Sequence, residues 1–212
     1  MIYIYLNINT YIQTTKYMYQ LPMKKLLILF TIIFLPFIAF AQAPIHCLIK
    51  TSLGDIAIEL YPAKAPVTVA NFMRYVDKKL YNGSSFFRVC TPANEAERKV
   101  QIQVIQGGNV PDNLALDSIK IETTKQTGIL HKNGTLSMAR NGPNSATCEF
   151  FICINNQPAL DYGGARNPDG YGFAAFGKVT KGMDVVREIQ AQKDTSQYLI
   201  HPIKIYEISR VR

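Results

Sequence analysis

Apolar and polar positions alternate through Ile45-His46-Cys47-Leu48-Ile49-Lys50-Thr51 and again through Ile56-Ala57-Ile58-Glu59-Leu60. With Gly54-Asp55 between them as a turn, the two runs predict a β-hairpin. The period then lengthens. Pro66 occupies a position where a first helical residue needs no N–H, and Val69, Phe72, Met73, Val76 and Leu80 recur at helical spacing up to a stop at Asn82-Gly83. Short strand patterns follow at Ser85–Val89, Gln101–Gln106, Ile119–Glu122, Thr135–Met138, Glu149–Ile154, Ala174–Lys178 and Ile203–Ser209, with a second helix at Met183–Gln192. Many short strands with only two helices set far apart predict an antiparallel barrel or sandwich with helical caps, since a parallel βαβ sheet needs more helices. Thr91–Lys99, rich in charge, and Asp161–Tyr171, rich in turn residues, read as loops. No repeat or linker divides residues 44–212, which read as one domain.

The pattern is different before Ala43. From Met23 the chain runs Met-Lys-Lys, then apolar residues from Leu26 to Phe40, then small residues at Ala39, Ala41 and Ala43, the layout of a secretory signal peptide. A membrane anchor is the alternative, but the run is shorter than the roughly 20 apolar residues a span needs and is interrupted by Thr31 and Pro36. Residues 23–41 are therefore expected to be a signal removed after Ala41. Residues 1–22 hold five of the 12 Tyr and no signature of a packed element, so Met23 is a plausible start and the upstream segment an extension outside the fold. The expected location is exported, periplasmic or secreted.

This changes the charge. The whole 212-residue chain carries 23 Lys+Arg against 15 Asp+Glu, a formal +8. Without residues 1–41, which hold three lysines and no acid, 171 residues remain at +5. Lys78-Lys79 and Arg98-Lys99 are then the only adjacent basic pairs, which predicts solvated surface charge and no nucleic-acid partner. All four Cys fall in the exported part, where disulfides are permitted. Three scattered His give no metal-ligand cluster, no hydrolytic motif or P-loop is present, and no cofactor is implied.

Three segments carry the chemistry: Phe86-Phe87-Arg88-Val89, Val104-Ile105-Gln106-Gly107-Gly108-Asn109, and Leu136 to Ser145 running on to Glu149-Phe150-Phe151-Ile152. With Thr51 to Ile56, Ala65 to Phe72, Phe176-Gly177-Lys178-Val179 and Gly182 to Val186, their order and wording resemble the cyclophilin family of peptidyl-prolyl cis-trans isomerases, as an exported, bacterial-like member. The resemblance covers nearly all of residues 44–212 and implies a closed eight-stranded antiparallel β-barrel capped by two α-helices. It implies an enzyme acting as a monomer on proline-containing polypeptides, with no membrane anchor once the signal is cleaved and no metal or cofactor.

Rotation about an X-Pro bond crosses roughly 18–20 kcal/mol because resonance stiffens the C–N bond. A catalyst needs a dry pocket for the Pro ring and a fixed cation or donor favouring the pyramidal nitrogen of the transition state. The resemblance gives that role to Arg88, with Gln106 as its holder. It places Phe87, Gln103, Val104, Met138, Ala139, Arg140, Asn141, Phe151, Leu160 and Phe173 along the substrate groove, a core position being the alternative for Met138. Phe150 and Phe151 are adjacent in a strand and must face opposite sides, and the resemblance selects Phe151 for the pocket. Gln103-Val104 stands where the family usually shows Phe-Met, which predicts a looser pocket that Phe173 partly refills. Ala159 replaces the indole of cyclosporin-sensitive members, which predicts weak cyclosporin binding. The competing expectation is a module that holds proline peptides with little catalysis.

Overall fold

The computed structural model describes residues 42–211, so the signal peptide and the upstream extension expected at 1–41 lie outside the described residues. β1 (Ile45–Thr51) and β2 (Gly54–Leu60) form the predicted hairpin, with Cys47, Ile49, Ile56, Ile58 and Leu60 buried on one face. The turn sits two residues earlier than expected, at Ser52-Leu53, because Thr51 pairs with Gly54 and its hydroxyl donates to the Gly54 carbonyl at 2.7 Å. Gly54 opens β2 at φ +139°, and a Cβ there would come within 2.9 Å of the Val185 side chain.

Seven further strands complete the sheet: β3 (Ser85–Cys90), β4 (Val104–Gly107), β5 (Thr135–Met138), β6 (Phe150–Cys153), β7 (Ala174–Lys181), β8 (Asp194–Thr195) and β9 (Tyr198–Arg210). Eight of the nine strands run in the order β1-β2-β7-β5-β6-β4-β3-β9, every pair antiparallel, and β9 pairs back onto β1, so the barrel closes. Closure removes the edges that an open sheet would expose. β8 is a two-residue strand on the start of β9. Of the predicted strands, Ile119–Glu122 contributes only one bridge, Ile119 to Ala146, and Gln101–Gln106 shrinks to start at Val104.

Helix α1 (Pro66–Asp77) starts at Pro66 as expected and ends short of Leu80. α2 (Thr124–Thr127) is a single turn not expected from the sequence, opened by a Thr123–Gln126 capping box. α3 (Met183–Gln190) buries Val186 and Ile189. Phe72 of α1 plugs the barrel against Phe150 and Phe176, with ring centroids 5.4 and 5.2 Å away, and Tyr81 and Phe86 pack on Phe150.

A second apolar cluster lies on the outside of the wall. Cys90, Val104, Phe151 and Cys153 point away from the barrel core, and Ile102 and Leu160 from the adjoining loops close over them, with Ala139 and Phe173 at the margin. This outer cluster is the floor of the functional groove.

Candidate active site

The groove is a cavity of about 880 Å³ on the outer face of β3, β4 and β6, bordered by the loops 91–103 and 157–173. Strand alternation alone would put Arg88 on the same face as Phe86, inside the barrel. A β-bulge prevents this: Phe86 pairs with Gly107, yet Arg88 pairs with Gln106, so β3 carries one extra residue between them. Phe86 and Val89 are buried, while Phe87 and Arg88 both reach the groove. Gln106 pairs across with Phe151, which brings cation, amide and pocket ring onto adjacent strands of one face.

Arg88 is held from two sides. Its Nη1 donates to Gln106 Oε1 at 2.7 Å, and its Nε and Nη2 donate to Gln197 Oε1 at 3.0 and 2.5 Å. A guanidinium has five N–H groups, so one on each terminal nitrogen is left over for a substrate. Each glutamine is itself oriented by a carboxylate. Gln106 Nε2 donates to Glu149 Oε2 at 2.7 Å, and Gln197 Nε2 donates to Glu95 Oε1 at 2.7 Å. Glu95, within the 91–99 loop, is fully buried, and there Arg166 grips both of its oxygens and the Ile102 amide donates to one of them at 3.2 Å. Burial pushes the Glu95 carboxyl up, but the hydrogen bonds and charge of Arg166, with the Ile102 and Gln197 amides, outweigh it and hold the group below its usual range.

That shift has a sign. The unfolded chain takes up a proton on Glu95 before the folded one does, so stability from this carboxylate is present above about pH 4.5 and is lost as pH falls further. Urea midpoints measured down through that window are expected to fall less in Glu95→Gln than in the parent. Equal slopes in the two proteins would contradict the assignment.

Phe151 forms the pocket floor. Phe173 meets it edge-on at a centroid distance of 5.3 Å, and His131 stacks behind it at 5.9 Å. His131 Nδ1 lies 2.7 Å from Asp161 Oδ1 and its Nε2 lies 2.9 Å from Ser137 Oγ. The trio has the membership of a hydrolytic triad, but Ser137 and His131 are buried behind Phe151, so it braces the pocket ring. Leu160 is buried in the wall, and Phe173 N–H donates to the Leu160 carbonyl, closing the neck of the 161–172 loop. The neck needs Gly172, at φ +64°, because a Cβ there would sit 2.5 Å from the Leu160 oxygen. Arg140 ties the same loop down by donating to the Gly172 carbonyl and both Asp169 oxygens, and its guanidinium lies 5.2 Å from the Phe173 ring centroid. Those bonds hold the Asp169 carboxyl below its usual range.

Of the residues expected along the groove, Phe87, Val104, Ala139, Arg140, Asn141, Phe151, Leu160 and Phe173 line it together with Arg88 and Gln106. Two do not. Met138 faces inward and is fully buried in the barrel core, taking the alternative position. Gln103 turns away from the cavity, its carbonyl accepting from Ile154 N–H and its side chain from Asn155. Ile102, from the same segment, lines the cavity and packs in the outer cluster with Val104, Phe151 and Leu160. Sequence reasoning missed Ile102, Glu95, Glu149, Arg166 and Gln197. It also missed Tyr198, which stacks on Phe87 at 6.3 Å on the rim.

The family model for cyclophilin type peptidyl-prolyl cis-trans isomerase matches residues 46–210. The chain is 39% identical over 168 residues to a peptidyl-prolyl cis-trans isomerase of Acinetobacter baylyi, covering 75% of this chain and 81% of the relative. It is 35% identical over 143 residues to peptidyl-prolyl cis-trans isomerase B of Escherichia coli, covering 66% and 80%. In fold it is similar to the crystal structure of a Cryptosporidium parvum cyclophilin type isomerase, with a TM-score of 0.65 at 22% identity over 80% of this chain and 98% of that one. With barrel, groove and family model in agreement along the same residues, the chain belongs to the cyclophilin-type peptidyl-prolyl cis-trans isomerases.

Proposed function

We infer that this chain catalyses cis-trans isomerisation of X-Pro peptide bonds, with Arg88 as the electrostatic catalyst. The observation that carries this reading is the Arg88 guanidinium, fixed by Gln106 and Gln197 at the lip of an apolar pocket floored by Phe151. A Pro ring seated on Phe151, between Leu160, Val104, Ile102 and Phe173, leaves its imide nitrogen facing the groove. As the C–N bond twists, that nitrogen becomes pyramidal and gains a lone pair able to accept an N–H from Arg88, a bond the planar ground state cannot make. No bond is made or broken, so the site needs no nucleophile or proton donor. The test is the relaxation rate of a short X-Pro peptide after a jump from a cis-enriched solution: acceleration proportional to protein concentration is expected. Binding of the peptide with no acceleration would overturn the reading in favour of a peptide holder.

The two adjacent phenylalanines separate binding from folding. Phe150→Ala empties a packed aromatic core and is expected to cost about 3–5 kcal/mol. Phe151→Ala, at a groove that water refills, is expected to cost about 1.5–3 kcal/mol and to raise KM for the peptide far more than it lowers stability. Denaturant unfolding with peptide titration on both variants checks the contrast.

We further propose that the working protein is the chain after Ala41, exported to the periplasm or beyond and acting as a monomer on proteins folding there, where the uncatalysed step takes tens to hundreds of seconds. The Met23–Ala43 layout supports this. Mass spectrometry of the N-terminus in the extracytoplasmic fraction tests it. A chain retained in the cytoplasm with residues 23–41 intact would contradict it.

A further inference from the structure

We propose that Gln197 is the positioning residue for the Arg88 guanidinium, with the buried Glu95–Arg166 pair fixing its orientation. The inference rests on the reading of Arg88 given above and extends it to three residues from parts of the chain that no motif marks.

The backbone gives the first reason. Ser196 and Gln197 form the two-residue turn between β8 and β9, with φ of +51° and +78°. A turn with both central residues at positive φ favours Asn and Gly, and Gln is disfavoured there. A residue kept in a backbone region that suits it poorly points to a use for its side chain. Gln197 is tied in regardless: its N–H donates to Asp194 Oδ1 at 2.9 Å, and its carbonyl accepts from the N–H of Val89, the residue next to Arg88, at 2.8 Å.

The side chain gives the second. Gln197 is buried, with its oxygen toward two N–H groups of Arg88 and its amide nitrogen toward Glu95. Rotating the amide by half a turn would set donor against donor at Arg88 and acceptor against acceptor at Glu95, so both neighbours enforce one orientation. Glu95 is held in turn by Arg166, whose Nη1 also donates to the Val100 carbonyl at 2.6 Å. The two loops that border the groove are thus joined to each other and to Arg88 through one chain of hydrogen bonds.

The chemistry gives the third. A carboxylate placed directly on Arg88 would orient it equally well, but would offset the positive charge needed at the twisted nitrogen. Here the carboxylate is one residue removed and its charge is matched by Arg166, while a neutral amide makes the contact. Arg88 is aimed and keeps its field.

Gln197→Gly suits the turn, deletes the side chain with its amide, and keeps the backbone bonds at position 197. In the full protein it is expected to leave the melting temperature unchanged or raised, and to lower kcat about 10- to 100-fold with KM within about twofold. In an Arg88→Ala background the same change is expected to have no further effect, since Gln197 acts through Arg88. Activity within about twofold of the parent, or an equal proportional loss in both backgrounds, would overturn the proposal. A second readout does not use activity. The Arg88 Nε–H resonance is expected to be sharp and slow to exchange with water in the parent, and broadened or fast-exchanging in Gln197→Gly and in Glu95→Gln. An unchanged resonance in both variants overturns the proposal. A parent without isomerase activity overturns the reading of Arg88 as catalyst and leaves the positioning claim to the resonance alone.

Discussion

Arg88→Ala is expected to lower kcat/KM for a short X-Pro peptide by about two to three orders of magnitude, the range seen when one preorganised donor is removed from a developing charge. The donor here is a permanent cation, fixed before substrate arrives by Gln106 at 2.7 Å and Gln197 at 3.0 Å, so no reorganisation is left for the moment of twisting. The fold is expected to survive. Arg88 lies on the groove face, outside the packed barrel interior, and the glutamines it leaves behind face a cavity that water can enter. Arg88→Lys separates charge from geometry: an ammonium keeps the charge but has no planar fork to span both glutamines, so its rate should fall between parent and Ala. Rates with melting curves for the three proteins check this, and an Ala variant within a few-fold of the parent would remove Arg88 from the mechanism.

Glu95→Ala is expected to be the most damaging single change outside the barrel core, at about 3–5 kcal/mol, because it leaves the Arg166 guanidinium largely buried without its partner. For a domain of this size that corresponds to a fall of about 10 °C in melting temperature. Gln197 loses its anchor at the same time, so catalysis should fall with stability. Replacing Arg166 by Leu in the Glu95→Ala background should recover part of the stability, since it removes the stranded charge, but none of the catalysis. Thermal unfolding of the single and double variants decides it, and a loss under about 1 kcal/mol in Glu95→Ala would contradict a buried, satisfied carboxylate.

The barrel was legible where a strand buries one face and exposes the other, as β1 and β2 largely do, and less so at β5 and β6, which are buried on both. Alternation in β1 and β2, the Pro66 start of α1 and the Met183 start of α3 all appear where the pattern puts them. Ile119–Glu122 has the composition of a strand but finds a partner only at Ala146, and β8 is too short to have a pattern at all. The site was legible where motif residues carry it: Arg88, Gln106, Phe151 and Leu160 converge on one groove. The polar support was not. Glu95, Gln197 and Arg166 come from three separate segments, and their contacts depend on how two irregular loops fold over β3 and β4, which periodicity does not encode. The bulge that turns Arg88 outward was equally hidden, since counting alternate residues from Phe86 places it inside. Ile102 takes the place in the groove expected of Gln103 for the same reason: the loop ends at Val104, and the Ile102 N–H is drawn in by its hydrogen bond to the Glu95 carboxylate.

Whether Arg88 drives the twist of the X-Pro bond is decided by two-dimensional exchange NMR on a short X-Pro peptide at equilibrium, with the protein at catalytic concentration. Cis–trans exchange peaks are expected to appear with the parent and all but vanish with Arg88→Ala. Peptide resonances that shift on binding while no exchange peaks appear with the parent would contradict it.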